Sequence, residues 1–171
     1  MIQLPPDFKE FLKLLNEKNV EYLVIGGYAG YHGYIRATGD IDVWVAPNLE
    51  NARKTVSALR VFGFDMPDSA EELLTPDNIL RMGVPPVRIE VLSSISGVSF
   101  DQCYPERVVA VIDEVRVPII SLRHLKINKR EAGRAKDLID LGHLPLGGAT
   151  KRRLNDGTET LRITKDLHRD F

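Results

Sequence analysis

What this 171-residue chain has little of is informative. It carries a single cysteine, Cys103. One thiol makes no internal disulfide, which suits a reducing compartment, so a cytoplasmic protein is expected. Long apolar runs are missing: the longest are strand-length, and no membrane span is expected. The opening residues, Met1-Ile2-Gln3-Leu4-Pro5-Pro6, lack the charged and apolar regions of a signal peptide. An excess of one charge is also absent. Lys and Arg number 23 against 24 Asp and Glu, a formal net charge of -1, which excludes a globally basic nucleic-acid coat but not a local basic patch. Internal repeats and low-complexity blocks do not occur. With 43% hydrophobic and 27% charged residues, the composition is that of an ordinary soluble domain. The length suits one unit with its own core.

What is present is a readable order of elements. Pro5-Pro6-Asp7 marks a helix start, and Phe8, Phe11, Leu12 and Leu15 follow at helical spacing, predicting a helix over 7–18. Tyr22-Leu23-Val24-Ile25 is a short apolar strand ended by Gly26-Gly27, and 28–34 can form two helical turns. Asp40 to Val45 alternates as a half-buried strand, stopped by Pro47-Asn48. Leu49 to Phe62 is a helix with Gly63 at its end. The stretch 71–80 is expected to hold helical turns. Val87 to Leu92 is a second alternating strand, and Val108–Ile112 with Arg116–Ile120 form a hairpin about Asp113-Glu114. A last, continuous helix is expected over 121–141. This order predicts an α/β or α+β domain over 1–146, with a mixed β-sheet flanked by helices. From 147 to 171 the chain turns polar and is expected to be a loosely packed tail or a docking arm.

Three acids stand out. Asp40 and Asp42 lie two apart on one strand, so both carboxylates project from the same face while Ile41, Val43 and Val45 turn to the core. Glu90 repeats the arrangement between Ile89 and Val91. If the two strands are neighbours, three carboxylates converge, and like charges that close need a cation. An all-oxygen set suits Mg²⁺; the alternative is a solvated strand face. Gly26-Gly27, after a strand and before a short helix, lets the backbone approach an anion. A phosphate cradle followed by metal-binding carboxylates describes a site for a nucleoside triphosphate and its Mg²⁺.

Other residues have two readings each. Between 116 and 136 there are seven Lys or Arg and one acid. On a continuous helix Lys129, Gly133, Lys136 and Asp137 share a face, and this basic stripe could lie against triphosphate. Alternatively it is solvated, with Arg134–Asp137 and Lys136–Asp140 as ordinary ion pairs. Arg36 and Thr38 contact phosphate or brace the loop before the acidic strand. Trp44, on the parity of Asp40 and Asp42, borders the site or packs under a helix. Arg88 is an ion-pair partner of Glu90 or a phosphate contact. His32 reads as a surface residue and Cys103 as structural.

Three blocks, Ile25-Gly26-Gly27, then Asp40-Ile41-Asp42-Val43 after a twelve-residue spacer, then Arg88-Ile89-Glu90-Val91, resemble the nucleotidyltransferase superfamily related to DNA polymerase β. Arg36 to Asp42, Gly83 to Glu90 and Lys129 to Leu138 are similar to its small bacterial AbiEii-like members. The resemblance implies a minimal nucleotidyltransferase fold and Mg²⁺-dependent transfer of a nucleoside monophosphate from an NTP. Asp40, Asp42 and Glu90 would be the catalytic, metal-holding residues of a two-metal site. Gly26, Gly27, Arg36, Thr38, Lys129 and Lys136 would bind the nucleotide. It also implies an acceptor among RNA or tRNA ends, proteins and small molecules, and a place in a toxin–antitoxin or phage-defence pair with a cognate antitoxin. Two positions depart from the pattern: Gly27 where serine is common, and Glu90 where aspartate is usual. They leave open a second reading, a catalytically inactive nucleotide-binding or partner-binding module on the same fold.

Overall fold

The computed structural model describes residues 3–26, 39–66, 69–84 and 86–145, and the backbone of 150–153 and 159–162. Helix α1 (Pro6–Glu17) enters through prolines whose missing N–H costs nothing at a helix start. It buries Phe8, Phe11, Leu12 and Leu15, the stripe that its spacing predicts. Strand β1 (Tyr22–Ile25) follows, then β2 (Asp40–Val45) and α2 (Leu49–Phe62). Asn48 caps α2 by accepting from the Asn51 N–H. A 3₁₀ segment (Ala70–Leu74), β3 (Ile79–Val84) and β4 (Val87–Leu92) come next. Short α3 (Phe100–Cys103), a 3₁₀ turn (Tyr104–Glu106), β5 (Val108–Ile112) and β6 (Val115–Ile119) lead to α4 (Leu122–Ala132) and α5 (Ala135–His143). Last come β7 (Thr150–Arg153) and β8 (Glu159–Arg162), a hairpin of their own.

Six strands form one mixed sheet in the order β3-β4-β2-β1-β6-β5. β2 runs parallel to β4 and antiparallel to β1, and β1 runs parallel to β6. The β5–β6 hairpin turns through Asp113 and Glu114, both at positive φ, as its sequence predicts. Each sheet face has its own core. Tyr22, Val24, Ile41, Val43, Val45, Ile89 and Val91 pack under α1 and α2. Leu23, Ile25 and Trp44 pack with Phe100, Cys103, Leu125 and Leu144 from the α3, α4 and α5 side. Strand alternation therefore sends Asp40, Asp42 and Glu90 to the face where α4 and α5 lie. No described helix is long and apolar enough to cross a membrane.

One expectation is corrected. The continuous helix over 121–141 is two helices: Gly133, at φ 61°, closes α4 by donating its N–H to the Lys129 carbonyl. A left-handed glycine there ends the helix, so Lys129 and Lys136 do not share one helical face. The helical turns expected in 71–80 are present as the 3₁₀ segment Ala70–Leu74, and an edge strand not read from the sequence, β3, begins at Ile79 on β4. Within the polar tail, 150–153 and 159–162 pair as strands of a separate two-stranded sheet. The expected helical turns at 28–34 lie outside the described residues.

Candidate active site

The site is built on the two central parallel strands. The register of β2 on β4 sets Asp40 opposite Arg88 and Asp42 opposite Glu90. Asp42 is the inner member. Its carboxyl faces that of Glu90, to which it can donate when protonated, and its pKa is pushed up to about 6. Burial is the largest cause; the neighbouring charges of Glu90 and Asp40 add to it, and the Lys136 ammonium opposes it. From β1, Gly26 closes the other side at φ +74°, where a Cβ would lie 2.1 Å from Asp42 Oδ2. Only glycine lets the chain turn there against the carboxylate.

Two arginines meet this acidic cluster from the sheet edge. Arg88 Nη2 donates to Asp40 Oδ2 at 2.9 Å, and Arg88 Nε stands 3.4 Å from Glu90 Oε1. Arg81 Nε, from the edge strand β3, donates to the same Glu90 oxygen at 2.9 Å. The hydrogen bond to Asp40, above all, holds the Arg88 guanidinium more firmly charged than usual.

The other wall is the corner between α4 and α5. Lys129 is buried there, 2.8 Å from Asp140 Oδ2 and 3.6 Å from Asp137 Oδ1. Arg134 donates twice to the buried Asp137, at 2.6 and 3.3 Å, the ion pair that its spacing predicts. Burial pushes the Asp137 carboxyl up, but the hydrogen bonds of Arg134 and the charges of Arg134, Lys129 and Lys136 outweigh it and hold Asp137 below its usual range. The Arg134 guanidinium in turn feels Asp42 and Glu90. Lys136 and Arg134 thus bring positive charge to the start of α5, where helix N–H groups have no intrahelical partner.

Of the nine predicted site residues, Asp42 and Glu90 are brought together and Gly26 packs against Asp42. Asp40 flanks them on Arg88, and Lys136 lies within electrostatic reach. Lys129 instead forms the buried ionic knot with Asp137 and Asp140. Gly27, Arg36 and Thr38 lie outside the described residues. Trp44 packs under α3, edge-on to Phe100 at 5.2 Å, and its Nε1 donates to the Ser93 carbonyl. Sequence reasoning missed Arg81, because the edge strand that carries it shows no alternation of buried and exposed residues, only Met82 being buried, and ends in Gly83-Val84.

The fit to a divalent cation can be judged from these groups. Among the described residues, no three His, Cys, Asp or Glu side chains are arranged as a preformed metal cage, since Asp40 is turned onto Arg88. The donor chemistry nevertheless fits. Asp42 and Glu90 are paired across adjacent strands and repel each other when both are charged, a pair that a hard cation holds without a proton. All its donors are oxygens.

No protein-family model and no curated protein matches the sequence. Among solved structures, the chain is similar to a candidate nucleotidyltransferase from Thermotoga maritima, with a TM-score of 0.50 and 13% identity over 80% of this chain and 88% of that one. At that identity the likeness is one of fold. The mixed six-stranded sheet flanked by helices is a nucleotidyltransferase-like fold.

Proposed function

We propose that this protein is a Mg²⁺-dependent nucleotidyltransferase that moves a nucleoside monophosphate from an NTP to an acceptor hydroxyl, with pyrophosphate leaving. The observation that carries the reading is the Asp42–Glu90 pair on adjacent central strands, with Gly26 against Asp42 and a basic helix start facing it. Asp40, Asp42 and Glu90 would hold the metal, which neutralises charge on the attacking oxygen and the leaving phosphates. The remaining work falls to the chain itself. Gly26 leaves room for the carboxylate, Arg134 and Lys136 take phosphate charge, and Asp137 fixes Arg134 for that purpose. Glu90 accepts the proton of the acceptor hydroxyl. Gly27, Arg36 and Thr38 would bind the nucleotide in this reading, as the resemblance implies.

On the sequence blocks quoted above we place the protein in the AbiEii-like group. It would work in the cytoplasm on an RNA or tRNA end, a protein or a small molecule, opposite a cognate antitoxin. A second reading, an inactive nucleotide-binding or partner-binding module, is favoured by one observation: Asp40 and Glu90 are already neutralised by Arg88 and Arg81. Transfer of label separates the two. Wild type and a folded Asp42→Asn variant are incubated with α-labelled NTPs, Mg²⁺, and RNA, protein and aminoglycoside acceptors. Labelled acceptor made by wild type and not by Asp42→Asn is the expected result. Nucleotide binding without label in any acceptor favours the module.

A further inference from the structure

The acidic cluster already has a cation, and the cation is poorly held on one side. Arg88 stands opposite Asp40 on β4. It donates to Asp40 through Nη2. Its Nε faces Glu90 Oε1 at 3.4 Å, yet is buried and has no hydrogen-bond partner. Glu90 Oε1 is served by Arg81 at 2.9 Å instead. Arg88 therefore spans two carboxylates with one satisfied nitrogen and one orphan. Its side chain is 33% exposed, so a path outward is open. Arg81 differs, because it is 56% exposed and holds Glu90 alone.

We propose that Arg88 is the exchangeable counter-cation of the site: it neutralises Asp40 and Glu90 until a divalent cation takes them, then donates to the phosphates of the nucleotide. The inference rests on the metal–nucleotide reading above. A guanidinium 2.9 Å from Asp40 Oδ2 cannot keep that place beside a dication on the same carboxylate, because the two positive charges repel in a partly dehydrated site. One hydrogen bond to Asp40 and a longer ion pair to Glu90 hold it back, and its Nε makes no hydrogen bond. Once displaced, the planar fork finds its best acceptors in phosphate oxygens, which match it two at a time. Arg88 is thus a nucleotide-binding residue whose two jobs have opposite signs: it competes with metal and supports nucleotide.

The test reads both signs. Mg²⁺ alone, without nucleotide, is titrated calorimetrically into wild type, Arg88→Gln, Arg88→Lys and Arg81→Gln, each first shown to be folded by circular dichroism. The four NTPs are then titrated at saturating Mg²⁺. Arg88→Gln is expected to bind Mg²⁺ about tenfold tighter, the effect of removing two partly exposed ion pairs from the competition. The same variant is expected to bind NTP about tenfold weaker, having lost a charge-assisted donor. Arg88→Lys keeps the charge without the fork. It loses NTP affinity while its Mg²⁺ affinity stays near that of wild type, and it decides the matter if Arg88→Gln does not fold. Arg81→Gln shifts Mg²⁺ affinity less than Arg88→Gln. Wild type that binds Mg²⁺ while Arg88→Gln binds it equally or more weakly overturns the inference and leaves the metal reading standing. Failure of every folded variant and of wild type to bind Mg²⁺ overturns both.

Discussion

Replacing Gly26 with alanine probes the contact on which the site geometry turns. Two costs combine. A non-glycine residue at φ +74° carries about 1–2 kcal/mol of left-handed backbone strain. The new Cβ would also lie 2.1 Å from Asp42 Oδ2, so the carboxylate must rotate away and its hydrogen bond to Glu90 is lost, about 1 kcal/mol. Gly26→Ala is therefore expected to destabilise the fold by about 2–3 kcal/mol. A double-mutant cycle separates the terms. In an Asp42→Ala background the clashing oxygen is gone, and the nearest remaining side-chain atom, the Cβ at position 42, is at an ordinary 3.5 Å. There Gly26→Ala should cost only the strain, about 1–2 kcal/mol, leaving a coupling of about 1 kcal/mol. Urea unfolding of the four proteins at pH 5, where Asp42 carries its proton, and without divalent cations reads this directly. An equal cost of Gly26→Ala in both backgrounds would show that Asp42 does not face Gly26.

Further predictions follow from the same groups. The folded-state pKa of Asp42 is raised from 3.8 to about 6, so the native state binds the extra proton. Its contribution is fully present below about pH 4 and lost as pH rises through 6, by about 2–3 kcal/mol. Urea midpoints from pH 4 to 8 without metal should show this decline in wild type and not in Asp42→Asn; identical slopes would refute it. Asp137→Ala takes the partner of Arg134 and one of the two carboxylates of the buried Lys129, which keeps Asp140, and is expected to cost about 2–3 kcal/mol in unfolding free energy. A loss under about 1 kcal/mol would mean the knot is solvated. Trp44→Ala removes a buried ring and is expected to cost about 3–5 kcal/mol, whereas Trp44→Phe in the folded protein should leave NTP affinity unchanged. A specific loss of NTP binding in Trp44→Phe would put the indole back at the site.

Much of the architecture was legible because alternation and spacing are local signals. Ile41, Val43 and Val45 against Asp40 and Asp42 told both faces of β2, and Ile89 and Val91 against Glu90 told those of β4. The Asp113-Glu114 turn between two β-branched runs marked its hairpin. What failed was what depends on context. Gly133 inside a helical pattern can be tolerated or can stop the helix, and only the Asp137 and Asp140 partners of Lys129 make the corner worthwhile. The edge strand Ile79–Val84 buries only Met82 and so has no alternating apolar period, and Arg81 and its grip on Glu90 were invisible. Trp44 shows the same limit: parity put it on the acidic face, but the step from the open end of β2 to the part covered by Phe100 is a fact of packing. Partner choice was the hardest item to read, since Arg88 could be placed beside Glu90 from parity, whereas its bond to Asp40 needed the register.

The central claim, that these carboxylates and the start of α5 form one metal-dependent nucleotide site, is tested most directly by thermal shift with each of the four NTPs, with and without Mg²⁺. Wild type is compared with an Asp40→Asn/Asp42→Asn double variant that is first shown to be folded. The account predicts that at least one NTP raises the melting temperature of wild type only when Mg²⁺ is present, and that the double variant loses this rise. No rise with any NTP at millimolar concentration, or an equal rise in the double variant, would contradict it.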